Sequence, residues 1–70
     1  MYSHLIETTY FSERFDCLLP ATFRTTADAV EIHLETCKRR AARAEIASWK
    51  ITEIETGKVV DAFDNTAAFQ

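Results

Sequence analysis

His33 and Cys37 lie four residues apart in a segment of helical periodicity, so both side chains could point the same way. Imidazole and thiolate are zinc ligands, and His4 and Cys17 would complete a four-ligand site. The same pair could act as base and nucleophile. However, zinc ligands usually come in close pairs, and Cys37 lies too late in its helix for the dipole to activate its thiol. We therefore predict no metal, no cofactor and no catalytic residue.

A basic cluster follows this pair. Half of the eight basic residues fall within one short run: Lys38, Arg39, Arg40 and Arg43. Such a cluster can bind phosphates, with stacking surfaces supplied by Tyr2, Tyr10, Phe11 or Phe15. The formal net charge of −3 and the lack of a second basic stripe favour a simpler role, stabilising the negative end of the helix dipole. Nucleic-acid binding by these four residues is kept as the alternative function.

Four acidic residues gather near the end of the chain: Glu53, Glu55, Asp61 and Asp64. Paired carboxylates perform acid–base chemistry or bind hard cations. Lys50 and Lys58 lie among them, which predicts a solvated surface of mixed charge. An acidic surface that mimics nucleic acid toward a basic partner remains open. Gly57 is the only glycine, which excludes glycine-rich phosphate loops.

Hydrophobic periodicity predicts an α+β fold with the order ββαββ, in which one helix packs on one face of an antiparallel sheet of about four strands. Tyr2 to Tyr10 and Phe15 to Leu19 alternate as strands, and the second of these strands can continue past Pro20 to Phe23. Two further strands, Ile46 to Ile54 and Lys58 to Phe63, form a hairpin turning at Gly57. We favour the register that places Trp49 opposite Phe63.

The helix should begin at Thr25 or Thr26, where Thr25 and Asp28 resemble a capping box. Apolar residues then recur every three or four positions, which predicts the stripe that faces the sheet. This stripe comprises Ala27, Val30, Leu34, Cys37, Ala41 and Ala44. The predicted core combines part of it with one face of each strand: Leu5, Phe15, Cys17, Leu19, Phe23, Val30, Leu34, Cys37, Ala41, Trp49, Ile51, Val59 and Phe63.

The C-terminal hairpin is apolar on both faces, although one helix can cover only one of them. The second face carries Ile46, Ile54, Val60 and Ala62. The tail from Asn65 to Gln70, a second copy of the chain, or a partner protein could cover it. Exposed apolar patches mark interaction sites, so we predict Ile54 and Val60 as partner-binding residues, together with the basic cluster.

Seventy residues form one domain, residues 1–70, of ordinary globular composition. The first ten residues are too polar for a signal peptide and two cysteines make no disulfide framework, so we expect a cytoplasmic protein with reduced thiols. Size, acidity and layout are similar in style to those of small accessory proteins of phages and mobile elements, including anti-CRISPR inhibitors, which commonly occupy a partner's surface. We therefore expect a non-enzymatic protein-binding module, an inhibitor or adaptor, with no membrane contact and with homodimerisation left open.

Overall fold

A computed structural model of the protein describes residues 1–69 and has the predicted α+β architecture with the order ββαββ. The elements are β1 His4–Ser12, β2 Cys17–Thr25, α1 Val30–Ala42, β3 Ile46–Glu53 and β4 Val59–Asp64. A 3₁₀ turn, Ala27–Ala29, leads into α1, and a second, Thr66–Phe69, follows β4.

The four strands form one open antiparallel sheet in the order β2-β1-β3-β4. The predicted pairing of Trp49 with Phe63 is confirmed. Each hairpin turn needs a backbone with positive φ, supplied by Asp16 at 52° and by Gly57 at 74°. Two irregularities leave Ala47 and Val60 without a direct cross-strand partner.

The core lies between α1 and the central strands. The predicted helix stripe is confirmed in its middle, where Cys37 is buried and partly buried residues pack beside it: Val30, Leu34 and Ala41. The sheet contributes buried residues from β1 and β3: Ile6, Ile46, Trp49 and Ile51. Ile6 pairs with Ile51, so these two side chains project from the same face. We call this the helix face and the opposite one the open face.

Several predicted core residues lie outside this cluster. On β1 the alternation is as expected, but Ile6 faces the helix, whereas Leu5 projects to the open face. Both sets of alternating positions carry apolar side chains, so the sequence pattern alone could not select the buried one. Seven predicted core residues belong neither to the buried cluster nor to the partly buried residues packed against it, and they are partly or fully exposed: Leu5, Phe15, Cys17, Leu19, Phe23, Val59 and Phe63.

Both ends of the helix differ from expectation. Thr26 is the residue before the first 3₁₀ turn and its backbone is extended, but no side-chain capping bond forms, so the predicted capping box is wrong. Ala27 and Ala44, the outer members of the predicted stripe, are exposed. Ala44 has a φ of 60°, and the Glu45 N–H donates to the Arg40 carbonyl at 2.9 Å. This closure is a Schellman motif with alanine where glycine is preferred.

Candidate functional site

The fold separates the residues that could have bound zinc. His4 lies at the Thr25 end of the β1–β2 ladder, whereas Cys17 lies at the opposite end beside Ser12. Within residues 1–69, no three His, Cys, Asp or Glu side chains group as a metal site. Burial raises the pKa of the Cys37 thiol, although the positive charge of Arg40 lowers it in part. This thiol is held in its protonated, less reactive form.

His33 and Cys37 instead line a shallow groove between α1 and β2. Because α1 packs closest to β3, it leaves the helix face of β2 partly open. The groove has a volume of about 260 Å³, below the range of roughly 300–1,000 Å³ that is usual for ligand pockets. Its lining is mainly apolar, with three polar residues on the helix side: His33, Thr36 and Arg40. The His33 ring stands edge-on to Phe23, with their centroids 5.0 Å apart.

The four residues of the predicted basic cluster are all exposed, but they do not share one face. Successive residues on an α-helix are about 100° apart, and Cys37 marks the direction of the sheet. Arg40 and Arg43 therefore lie on the flank near β2, whereas Lys38 lies on the other flank and Arg39 points away from the sheet. Arg40 also contacts Glu45 at 3.9 Å, an exposed ion pair of about 0–1 kcal/mol.

The turn between β1 and β2 brings a further cation to this end of the sheet. The guanidinium of Arg14 lies 5.5 Å from the centroid of the exposed Phe15 ring. Tyr10 pairs with Ile46, directly after the helix, so the β1–β2 turn and the end of α1 occupy the same end of the molecule. The cations there surround that end rather than forming a single stripe.

Exposed apolar side chains meet at the opposite end, near the β3–β4 turn. Tyr2, Leu5 and Ile54 line a shallow depression of about 350 Å³ together with Arg24. We call these four residues the hairpin-end patch. Ser3 accepts a hydrogen bond from the Ile54 N–H at 2.9 Å, which fixes this part of the turn beside the start of β1. Val60, the other predicted apolar contact residue, lies on the edge strand β4 and is also exposed, but it does not line this depression.

The predicted partner-binding residues thus form two separate surfaces. The basic residues precede β3 and Ile54 follows it, and eight strand residues span about 26 Å. One compact binding site cannot include both groups. Tyr2, Leu5 and Arg24 were not identified from the sequence, because only the pairing of β1 with β2 and β3 brings them to Ile54.

Asp61 and Asp64, two of the four acidic residues of the hairpin, accept hydrogen bonds from groups within it or directly after it. Asp61 accepts a hydrogen bond from the Trp49 indole N–H at 2.7 Å. Asp64 accepts bonds from the Thr66 backbone N–H and hydroxyl, and these hold the pKa of its carboxyl below the usual value. The indole N–H of a buried tryptophan usually donates to a hydrogen-bond acceptor. The prediction that Trp49 is buried therefore also implied a nearby acceptor, the role that Asp61 has.

Comparison with protein-family models, curated proteins and solved structures gave no match. No helix within residues 1–69 has the length and apolar character needed to cross a membrane. The strongest features for recognition are therefore those of the chain itself: the hairpin-end patch, the groove and the dispersed cations.

Proposed function

We propose that this protein is a binding module that acts as an inhibitor or adaptor by occupying the surface of a partner protein through its hairpin-end patch. One observation carries the proposal. Two large apolar side chains, Tyr2 and Ile54, stay 62% and 46% exposed although they lie side by side around one depression. Contiguous apolar surface of this kind is typical of interaction sites.

The surroundings of the patch suit a binding site. Elsewhere the open face is largely polar, with Glu7 directly opposite Lys50 and Thr9 opposite Ser48. A polar rim around an apolar centre is the usual composition of a protein interface. Arg24 adds five hydrogen-bond donors within the depression, so an acidic or carbonyl group on the partner could pair with it.

The test compares two exposed isoleucines. The tagged protein is used to capture partners from a lysate of its native host with and without nuclease, alongside the variants Ile54→Glu and Ile32→Glu. Ile32 is 68% exposed on α1, away from the patch, and serves as the matched control. We expect a partner that resists nuclease, binds Ile32→Glu normally and binds Ile54→Glu at least about tenfold more weakly, since a buried unpaired charge costs more than 1.4 kcal/mol.

Equal binding by both isoleucine variants would contradict the role of the patch. Partners that disappear after nuclease treatment would instead support nucleic-acid binding by Lys38, Arg39, Arg40 and Arg43. The position of Arg14 at the same end favours that alternative, whereas the spread of the four residues around α1 weighs against it. Nucleic-acid binding would also weaken steeply with added salt and disappear when the four residues are replaced by Gln.

A further inference from the structure

The two edges of the sheet differ in their ability to accept another strand. The Phe11 N–H donates to the carbonyl of Glu45, the residue before β3, at 2.9 Å, so the odd-numbered residues of β1 direct their backbone groups toward β3. Pro20 pairs with Thr9, one of these residues, and therefore directs its backbone to the free edge of β2. Proline has no N–H to donate there, which protects this edge against pairing.

The free edge of β4 carries no proline, and its one irregularity, the bulge at Val60, lies near the start of the strand rather than at its centre. The Asn65 N–H donates to the Ala47 carbonyl at 2.8 Å, so Phe63 and Asp61 likewise direct their backbone groups toward β3. The backbone N–H and C=O groups of Ala62 and Asp64 consequently point to the free edge. They are unpaired in the sheet and available to a further antiparallel strand.

The side chains of β4 would gain from such a strand. Val59, Val60 and Phe63 all belong to β4, yet they remain between 40% and 48% exposed. α1 does not cover this edge, because its closest strand is β3. A neighbouring strand would cover apolar surface on β4 and pair its free backbone groups at the same time.

The charges at the two ends of β4 favour a second copy of the chain as this strand. Lys58 directly precedes β4 and Asp64 ends it. With a two-fold axis at Ala62, Asp64 of each copy would lie opposite Val60 of the other. It would also lie diagonally across from Lys58, within reach of its long side chain, whereas parallel pairing would bring like charges together. A two-fold axis at Ala62 would also avoid placing Asp61 directly opposite its own equivalent.

We propose that β4 pairs in antiparallel fashion with β4 of a second copy, centred on Ala62, to give a continuous eight-stranded sheet. With the axis at Ala62, only residues 60–64 of β4 pair with each other, and these five residues span about 17 Å, so the interface falls in the small class below roughly 1,200 Å². The dimer is therefore weak, with a dissociation constant on the order of 10–100 µM. The proposal does not depend on a partner protein at the hairpin-end patch.

Sedimentation equilibrium over micromolar to millimolar concentrations measures this association directly. Ala62→Pro removes a backbone donor from the free edge, and Ala62→Lys keeps the donor but adds a charge there. The matched controls are Thr22→Pro and Thr22→Lys, because Thr22, two residues after Pro20, faces the free edge of β2. Far-UV circular dichroism and urea unfolding verify that each variant folds.

We expect the wild type and both Thr22 variants to dimerise alike, and both Ala62 variants to associate at least about tenfold more weakly. Lys58→Glu should weaken the dimer severalfold.

Three results would overturn the proposal. The first is a wild type that stays monomeric at 1 mM, about ten times the upper limit of the expected dissociation constant. Equal losses in the Ala62 and Thr22 variants, or normal dimerisation of folded Ala62→Lys, would also overturn it. Ile54→Glu should dimerise normally, which separates this result from the test of partner binding.

Discussion

Replacing Trp49 with Ala should remove a large part of the stability of this protein. The side chain is only 6% exposed, stacks on Phe63 with ring centroids 4.6 Å apart, and donates its indole N–H to Asp61. The aromatic pair contributes about 0.5–1.5 kcal/mol and the hydrogen bond about 1 kcal/mol, and lost burial accounts for the remainder. The total expected loss is about 3–5 kcal/mol.

This loss is large for a chain of 70 residues, whose free energy of unfolding should be roughly 4–10 kcal/mol. Urea unfolding followed by far-UV circular dichroism measures the effect, because Trp49 is the only tryptophan and its replacement removes the fluorescence signal. With a slope of about 1 kcal/mol per molar urea, the midpoint should fall by about 3–5 M or the protein should be unfolded without urea.

Two further variants make the result specific. Trp49→Phe keeps an aromatic ring against Phe63 but loses the bond to Asp61, so it should cost about 1–2 kcal/mol. Phe15→Ala removes an aromatic side chain that is 63% exposed in a turn and should change stability by less than about 0.5 kcal/mol. Equal midpoints for Trp49→Ala and Phe15→Ala would refute the placement of Trp49 in the core.

Two other predictions concern the end of α1 and the cysteines. Ala44→Gly should stabilise the protein by about 0.5–1 kcal/mol, because φ is 60° at this position and glycine adopts that backbone without strain. Ala42→Gly, at the last residue of the helix, relieves no strain and should destabilise the protein by up to about 1 kcal/mol, and urea midpoints that shift in the same direction for the two variants would contradict this account. Ellman's reagent should modify the exposed Cys17 rapidly and the buried Cys37 only on unfolding. Because burial raises the pKa of folded Cys37, its thiol contributes to stability below the ordinary pKa of 9.0 and loses that contribution as pH rises further. The stability gap between wild type and Cys37→Ala should therefore narrow at alkaline pH. Rapid labelling of the single thiol in folded Cys17→Ser, or of both thiols in the folded wild type, would refute the burial of Cys37.

The elements of this fold could be predicted because each depends on local pattern. Val30, Leu34, Cys37 and Ala41 repeat at helical spacing, and Gly57 between two apolar strands indicates a hairpin. The candidate site was harder to predict from the sequence. Ile54 was found from an excess of apolar residues, but Tyr2 and Arg24 lie far from it in sequence and join it only through strand pairing.

The sequence by itself determined the class of fold, the helix stripe and the pairing of Trp49 with Phe63, since these depend on periodicity and on neighbours across a short turn. Only the tertiary structure decided which face of β1 is buried, because Leu5 and Ile6 are equally apolar and the position of α1 selects between them. It also decided that the basic helix end and Ile54 lie at opposite ends, because β3 runs the length of the sheet between them. The strand order β2-β1-β3-β4 likewise places Pro20 at one free edge and leaves Ala62 open at the other, a difference that arises only from long-range pairing.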